Sequence, residues 1–319
     1  MRIEALLKGI PTRNILVVGD IILDEYLWGI VRGISPEGPV PIVEIRQQTY
    51  APGGASNVAA NIASLGGNVE LVGVVGVDTQ ATKLLELISQ TQRISTHLLS
   101  CQDRPTTTKT RILAHSQQML RTDREERHPI PVTIEDAILT CVQEHIDTIH
   151  ACVLSDYAKG VLTENLLHTL ISLCRQAHVP VIVDPKGHNY SRYRGATVVT
   201  PNTIEANLAA GNDDGDMSIE QVADRLQGDI GDGALLITRG AEGMALFQQN
   251  SRAIHIPAQA RTIYDVTGAG DTVVAVLALL LSIGMELEEA ARLANYAAGI
   301  VVGKVGTACI DLKELLAAL

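Results

Sequence analysis

The sequence predicts a doubly wound, mostly parallel α/β sheet with helices on both faces, and three observations carry that prediction. Strand-like apolar runs alternate with helix-like segments along most of the 319 residues, the pattern of a wound parallel sheet. Hydrophobic residues make up 46% of the chain and aromatics only 3%. The core must therefore be built from Val, Ile, Leu and Ala, which suits strands buried on both sides. Residues with chemistry fall just past the ends of the strand-like runs, where such folds bind ligands.

The elements follow in order. Residues 14–20, Asn-Ile-Leu-Val-Val-Gly-Asp, read as a buried strand that delivers Asp20 to its carboxyl end. Residues 55–65 have helical spacing and stop at Gly66-Gly67, a C-terminal signal. A strand over 69–75 and a helix over 79–90 follow. Between Gly29 and Pro52 the sequence alternates with prolines, which argues for edge strands. Residues 106–122 read as two short strands around 114–117. These two segments are expected to pair as a small sheet over a site.

Beyond Arg127 the pattern is regular. Helices are predicted over 134–145, 163–177, 203–210, 218–226, 269–282 and 287–302. Strands are predicted over 151–154, 180–184, 196–200 and 234–238, with a hairpin from 244–247 and 253–256. No linker or internal repeat divides residues 1–319, so one domain is expected.

Charge and composition exclude several classes. The net charge of −11 with no long basic run argues against nucleic acid, whose backbone needs a positive surface. The five cysteines are scattered and form no CxxC pair, so reduced thiols in the cytoplasm are expected. The first ten residues contain Glu4 and lack a signal peptide's apolar stretch. The most apolar segment, 272–285, is shorter than the ~20 residues of a membrane span.

Four segments can carry chemistry. Asp265-Val-Thr-Gly-Ala-Gly-Asp271 leads into an apolar helix. The unpaired N–H groups of a helix start attract anions. A carboxylate at that place makes sense as a base for an attacking hydroxyl, although a plain helix cap reads the same way. Pro52-Gly-Gly-Ala-Ser-Asn57 opens a second helix, and Asn57 can both donate and accept, as polyol recognition requires. Asn202-Thr-Ile-Glu205 puts an amide and a carboxylate one helical turn apart, suited to hydrated Mg2+ or to a capping box. Thr238-Arg-Gly-Ala-Glu-Gly243 follows a strand and can offer hydroxyl and backbone groups to a nucleotide. Neither a Walker A motif nor GxGxxG after the first strand is present.

Occurring together in this order, these segments resemble the ribokinase-like (PfkB) carbohydrate kinase family over nearly the whole chain. The resemblance implies a ribokinase-like sheet with a small β lid formed by segments of about 29–52 and 104–123, often a homodimer contact. It implies ATP and Mg2+, with a monovalent cation near 265–267 left open. Four further segments, 34–41, 117–123, 154–160 and 183–187, are similar to heptose-7-phosphate kinases of ADP-heptose synthesis for the lipopolysaccharide core. That narrower resemblance implies transfer of the γ-phosphate of ATP to O1 of D-glycero-β-D-manno-heptose 7-phosphate. Because the chain ends at Leu319 without an HxGH motif, it reads as a stand-alone kinase. Another sugar kinase of the same fold, or a catalytically silent binding sensor, are the alternative readings.

The resemblance also assigns residues. Asp271 is the expected base, with Gly268, Ala269 and Gly270 forming the anion hole. Asp20, Gly53, Gly54 and Asn57 are expected to hold the sugar. Lys159, Lys186, Arg104 and Arg121, with Arg111 beside them, are candidates for phosphate contacts. Asn202, Thr238, Arg239, Gly240 and Gly243 would serve the nucleotide, Asn295 and Ala298 the adenine, and Glu205 the metal.

Overall fold

A computed structural model describes residues 7–115, 117–259, 266–304 and 309–317. In chain order its elements are β1 (Asn14–Gly19), a long hairpin of β2 (Ile21–Ile34) and β3 (Pro41–Gly54), α1 (Ala55–Ser64), β4 (Asn68–Gly76), α2 (Thr79–Ser89) and β5 (Ile94–Cys101). A second hairpin, β6 (Thr107–Ala114) and β7 (Gln117–Arg124), leads to α3 (Val132–His145), β8 (Ala151–Ser155), α4 (Glu164–Gln176), β9 (Val181–Asp184) and β10 (Val198–Val199). The remainder is α5 (Thr203–Ala210), α6 (Ile219–Ile230), β11 (Ala234–Thr238), β12 (Met244–Phe247), β13 (Ile254–Ile256), α7 (Ala269–Ser282), α8 (Leu287–Val301) and α9 (Leu312–Leu316).

Alternation along single strands dictates the layers. Side chains of a strand point to opposite faces in turn. In β1, Ile15 and Val17 enter one core while Leu16 and Val18 enter another. β8 does the same, with Ala151 and Val153 on the first side and Cys152 and Leu154 on the second. A strand apolar at every position must be covered twice. Helices α1, α2, α7 and α8 cover the first side; α3, α4, α5 and α6 cover the second. The main sheet runs β13-β12-β11-β10-β9-β8-β1-β4-β5 among the described residues. It is parallel from β11 to β5, with β12 and β13 added antiparallel.

A smaller sheet, β3-β2-β6-β7, stands apart. Its central contact is the parallel pairing of β2 with β6. The two segments expected to pair do so, but the first strand starts at Ile21 rather than near Gly29. Ile21, Ile22 and Leu23 are buried where β2 leaves the main core, so its root reads in the sequence as an extension of β1. β3 lies at the edge, where its prolines cost no ladder hydrogen bond. β5 was not expected at all. It is an edge strand whose Ser, Thr and His residues hide the apolar alternation.

β1 and β8 approach closely at their carboxyl ends. A Cβ placed on Gly19 would press into the Ser155 carbonyl group, and strand backbone cannot yield cheaply. Gly19→Ala is expected to lower the unfolding free energy by about 1–3 kcal/mol, read as a lower urea midpoint.

Candidate active site

The carboxyl edge of the main sheet collects Asp20 after β1, Asp156 after β8, Asp184 closing β9 and Thr238 closing β11. α7 is aimed at this edge. Its N-cap, Gly268, has φ 80°, a left-handed conformation that glycine adopts without steric cost. Ala269, Gly270 and Asp271 form the first turn. Ala269 donates its N–H to the Val266 carbonyl at 3.2 Å; those of Gly270 and Asp271 have no acceptor within the helix. Asp265 lies outside the described residues, and with it part of the loop that a monovalent cation would use.

Asp271 is buried, and both its oxygens are engaged. Oδ2 accepts from Asn57 Nδ2 at 2.5 Å, and Oδ1 accepts from the Tyr157 hydroxyl at 2.7 Å. Behind Asn57, Asn61 donates to the Asn57 carbonyl at 3.0 Å, and Thr272 Oγ1 lies 3.1 Å from Asn61 Oδ1. α1 and α7 are thus joined by a buried polar chain that ends on the carboxylate. Burial raises the Asp271 pKa to about 6, against the lowering effect of the Asn57 and Tyr157 hydrogen bonds. Asp24 adds to the rise and Lys109 opposes it.

Several assigned residues take other places. Asp20 is buried, and its carboxylate accepts the N–H groups of Tyr157 at 2.8 Å, Lys159 at 3.1 Å and Val161 at 3.3 Å. These bonds anchor the loop 157–161. Burial, then the neighbouring Asp156, raise its pKa to about 6. Asn57 directs its amide to the base. Arg104 is buried, donating to the carbonyls of Lys159 at 2.8 Å and His128 at 2.5 Å, so it clamps backbone. Lys159 pairs with Glu125 at 2.6 Å, and Lys186 with Glu205 at 2.6 Å.

The residues missed in the sequence come largely from the small sheet. Asp24 on β2, Lys109 on β6 and Asp123 on β7 are register partners; Tyr26 joins the candidates Arg111 and Arg121 in the next row. Each row shares one face. Asp24 is buried against Arg111 Nη1 at 2.5 Å, and any Cβ on Gly53 would meet its carboxylate. Gly54, φ 56°, precedes α1. Lys109 Nζ lies 5.3 Å from the Tyr157 ring centre. Burial, then repulsion from Lys159, lower the Lys109 pKa. The period-2 rule applied to residues 21–34 would have found Asp24.

Asn202 and Glu205 form a full capping box: Glu205 N–H to Asn202 Oδ1 at 2.9 Å, and Asn202 N–H to Glu205 Oε2 at 3.0 Å. Asp184 feels the charge of both Asp271 and Glu205. Burial, then repulsion by Asp271 and Glu205, push its pKa well above the usual carboxylate range. Oxygen donors that repel one another suit a hard divalent cation, and Asp184 with Glu205 fit hydrated Mg2+.

A cavity of about 230 Å³ adjoins the start of α7. Thr238, Gly240, Gly243, Asn295 and Ala298 line it with Ala269 and Gly270, so these five predicted nucleotide residues converge. Arg239, paired with Glu242, and Asn202, in its capping box, do not line it. Asn295 donates to the Pro257 carbonyl at 2.8 Å.

Transfer of a phosphoryl group to a hydroxyl requires a base and an anion-stabilising turn within reach of a nucleotide pocket. The start of α7 sets a buried carboxylate and a glycine turn beside that cavity, an arrangement that suits a phosphotransferase. The model of the pfkB family carbohydrate kinases matches residues 12–313, and the chain belongs to that family. It is 45% identical over 318 residues to the bifunctional protein HldE of Trichlorobacter lovleyi, covering 99% of this chain and 65% of that protein. The HldE of Salmonella dublin is 46% identical over 311 residues, 97% of this chain and 64% of that protein. The chain thus spans just under two thirds of these relatives. Ribokinase from Thermotoga maritima superposes with a TM-score of 0.75 at 20% identity, over 96% of this chain and 98% of that one. Phosphofructokinase-2 from Escherichia coli gives 0.74 at 19%, over 96% and 97%. The fold is ribokinase-like.

Folded Asp271 keeps its proton up to about pH 6, whereas an unperturbed aspartate releases it near 3.8. Its ionisation therefore subtracts from stability as pH rises through that interval. Asp271→Asn removes the group. The Tm of the variant minus that of wild type should grow from pH 4 to pH 7, a trend that calorimetry at matched ionic strength will measure.

Proposed function

We propose that this domain phosphorylates O1 of D-glycero-β-D-manno-heptose 7-phosphate with ATP, yielding the 1,7-bisphosphate for ADP-heptose synthesis. The observation that carries the reading is the cationic face opposite the base. Lys109 lies against Tyr157, which itself holds Asp271, and Lys109 and Lys159 repel each other. Lys109 sits among Lys159, held by Glu125, Arg111, held by Asp24, and Arg121, held by Asp123; in a chain of net charge −11 this gathering of cations suits an anionic substrate group. The identity to HldE proteins supports a heptose phosphate over a neutral sugar.

In this mechanism Asp271 removes the proton from the attacking hydroxyl. Asn57 and Tyr157 fix the direction of its carboxylate, and the free N–H groups at the start of α7 stabilise charge on the transferring phosphoryl. Mg2+, held by Asp184 and Glu205, would neutralise charge on the ATP phosphates. Lys186, paired with Glu205, belongs to the nucleotide side, and the cavity lined by Asn295 and Ala298 takes adenine. Ile34, Val40, Ile42, Ile45 and Leu120 are exposed on the small sheet; they support a homodimer through that sheet. The reaction belongs in the cytoplasm, where ATP is available.

Asp271→Asn should lower kcat by about 10²–10⁴ while ATP affinity stays near wild type; turnover close to wild type would remove Asp271 from the mechanism. In the free enzyme, kcat/KM should fall below a pH of about 6 as Asp271 takes up its proton. Tyr157→Phe deletes a hydrogen bond to the ionised carboxylate, so this acid limb should move to higher pH. A panel of sugars and sugar phosphates decides the substrate: higher kcat/KM for ribose or fructose than for the heptose 7-phosphate would overturn the assignment.

A further inference from the structure

A second cluster lies away from the carboxyl-edge residues. Glu70 is the third residue of β4, His97 is in β5, and His145 closes α3. In β4, Val72 and Val74 face the core covered by α3, and alternation puts Glu70 on that side too. His97 is the register partner of Val72, so it shares the face. The last turn of α3 brings His145 over both, its ring centre 4.9 Å from that of His97. One ligand atom from each residue falls within a single 4.8 Å group.

The details favour a metal over a simple ion pair. His97 Nε2 and Glu70 Oε2 lie 2.8 Å apart, the arrangement in which an ion can replace the shared proton. His145 Nδ1 lies 2.7 Å from the Cys141 carbonyl oxygen. That contact fixes the ring and leaves Nε2 for a ligand, as carbonyl-backed histidines do in metal sites. All three side chains are half-buried, so they can close by the ångström or so that ligands ~2.0–2.2 Å from zinc demand. Two imidazoles and one carboxylate select zinc-class ions; Mg2+ prefers oxygen alone.

We propose that Glu70, His97 and His145 bind one zinc-class divalent ion, completed by water, which fastens α3 to the edge strand β5. The site is independent of the kinase reading, because none of its residues belongs to the candidate active site.

The test uses the full chain with saturating Mg2+, and Zn2+ as the probe in equilibrium dialysis. Wild type should bind one equivalent that the His97→Ala/His145→Ala double variant lacks. Glu70→Gln retains a hydrogen-bond acceptor for His97 and should weaken binding at least about tenfold. Zn2+ should raise the Tm of wild type and leave that of the double variant unchanged, and Co2+ should give a tetrahedral visible spectrum in wild type alone. Unchanged kinase turnover shows that the variants fold. Equal zinc stoichiometry and affinity in wild type and double variant, or no zinc bound by wild type, would overturn the proposal.

Discussion

The Asp271 carboxylate is shared by three parts of the chain that lie far apart in sequence. Asn57 reaches it from α1, Tyr157 from the loop after β8, and its own backbone starts α7. Burial opposes its charge, while the two hydrogen bonds favour it. The buried chain from Thr272 through Asn61 to Asn57 keeps that balance by fixing where α1 and α7 meet.

The surrounding charges follow from topology. Parallel strands place their carboxyl ends on one edge, so Asp20, Asp156 and Asp184 are brought toward Asp271 and Glu205. Asp156 raises the pKa of Asp20 and of Asp184, and Asp271 and Glu205 raise that of Asp184. Arg192 near Asp156 and Lys186 on Glu205 offset part of that repulsion. What remains is an edge short of positive charge, which a metal–nucleotide complex can relieve. The small sheet brings Lys109 and Arg111 toward Asp271, with Asp24 and Asp123 beside them.

The main sheet was legible because uninterrupted apolar runs have few other places to go. The strand at residues 234–238 and the helices at 203–210 and 269–282 were read to the residue. The start of α7 was legible too, since Gly268 and Gly270 mark a backbone that must come close to something. Roles of side chains were not. Asp20 and Asp24 are four residues apart, and nothing local tells that one accepts three loop N–H groups while the other pairs with Arg111. Arg104 reads as an available cation until its burial between two carbonyls is known. Lys109 was passed over because its meaning depends on the register of β6 against β2, a pairing across more than eighty residues that no local pattern encodes.

Asp20 carries more of the site than a sugar contact would. A carboxylate buried at the end of β1 could be tolerated only if its oxygens were satisfied, and three N–H donors at alternate positions of the loop 157–161 satisfy them. That loop then has little freedom. Ala158 takes a left-handed φ of 54°, with its N–H held by Asp156. Tyr157 is thereby turned toward Asp271, and Lys159 is held where its charge acts on Lys109. The first strand thus acts on the base indirectly. Its terminal carboxylate shapes a loop, and the loop delivers both the hydroxyl that orients Asp271 and a cation that makes the neighbouring surface receptive to an anion.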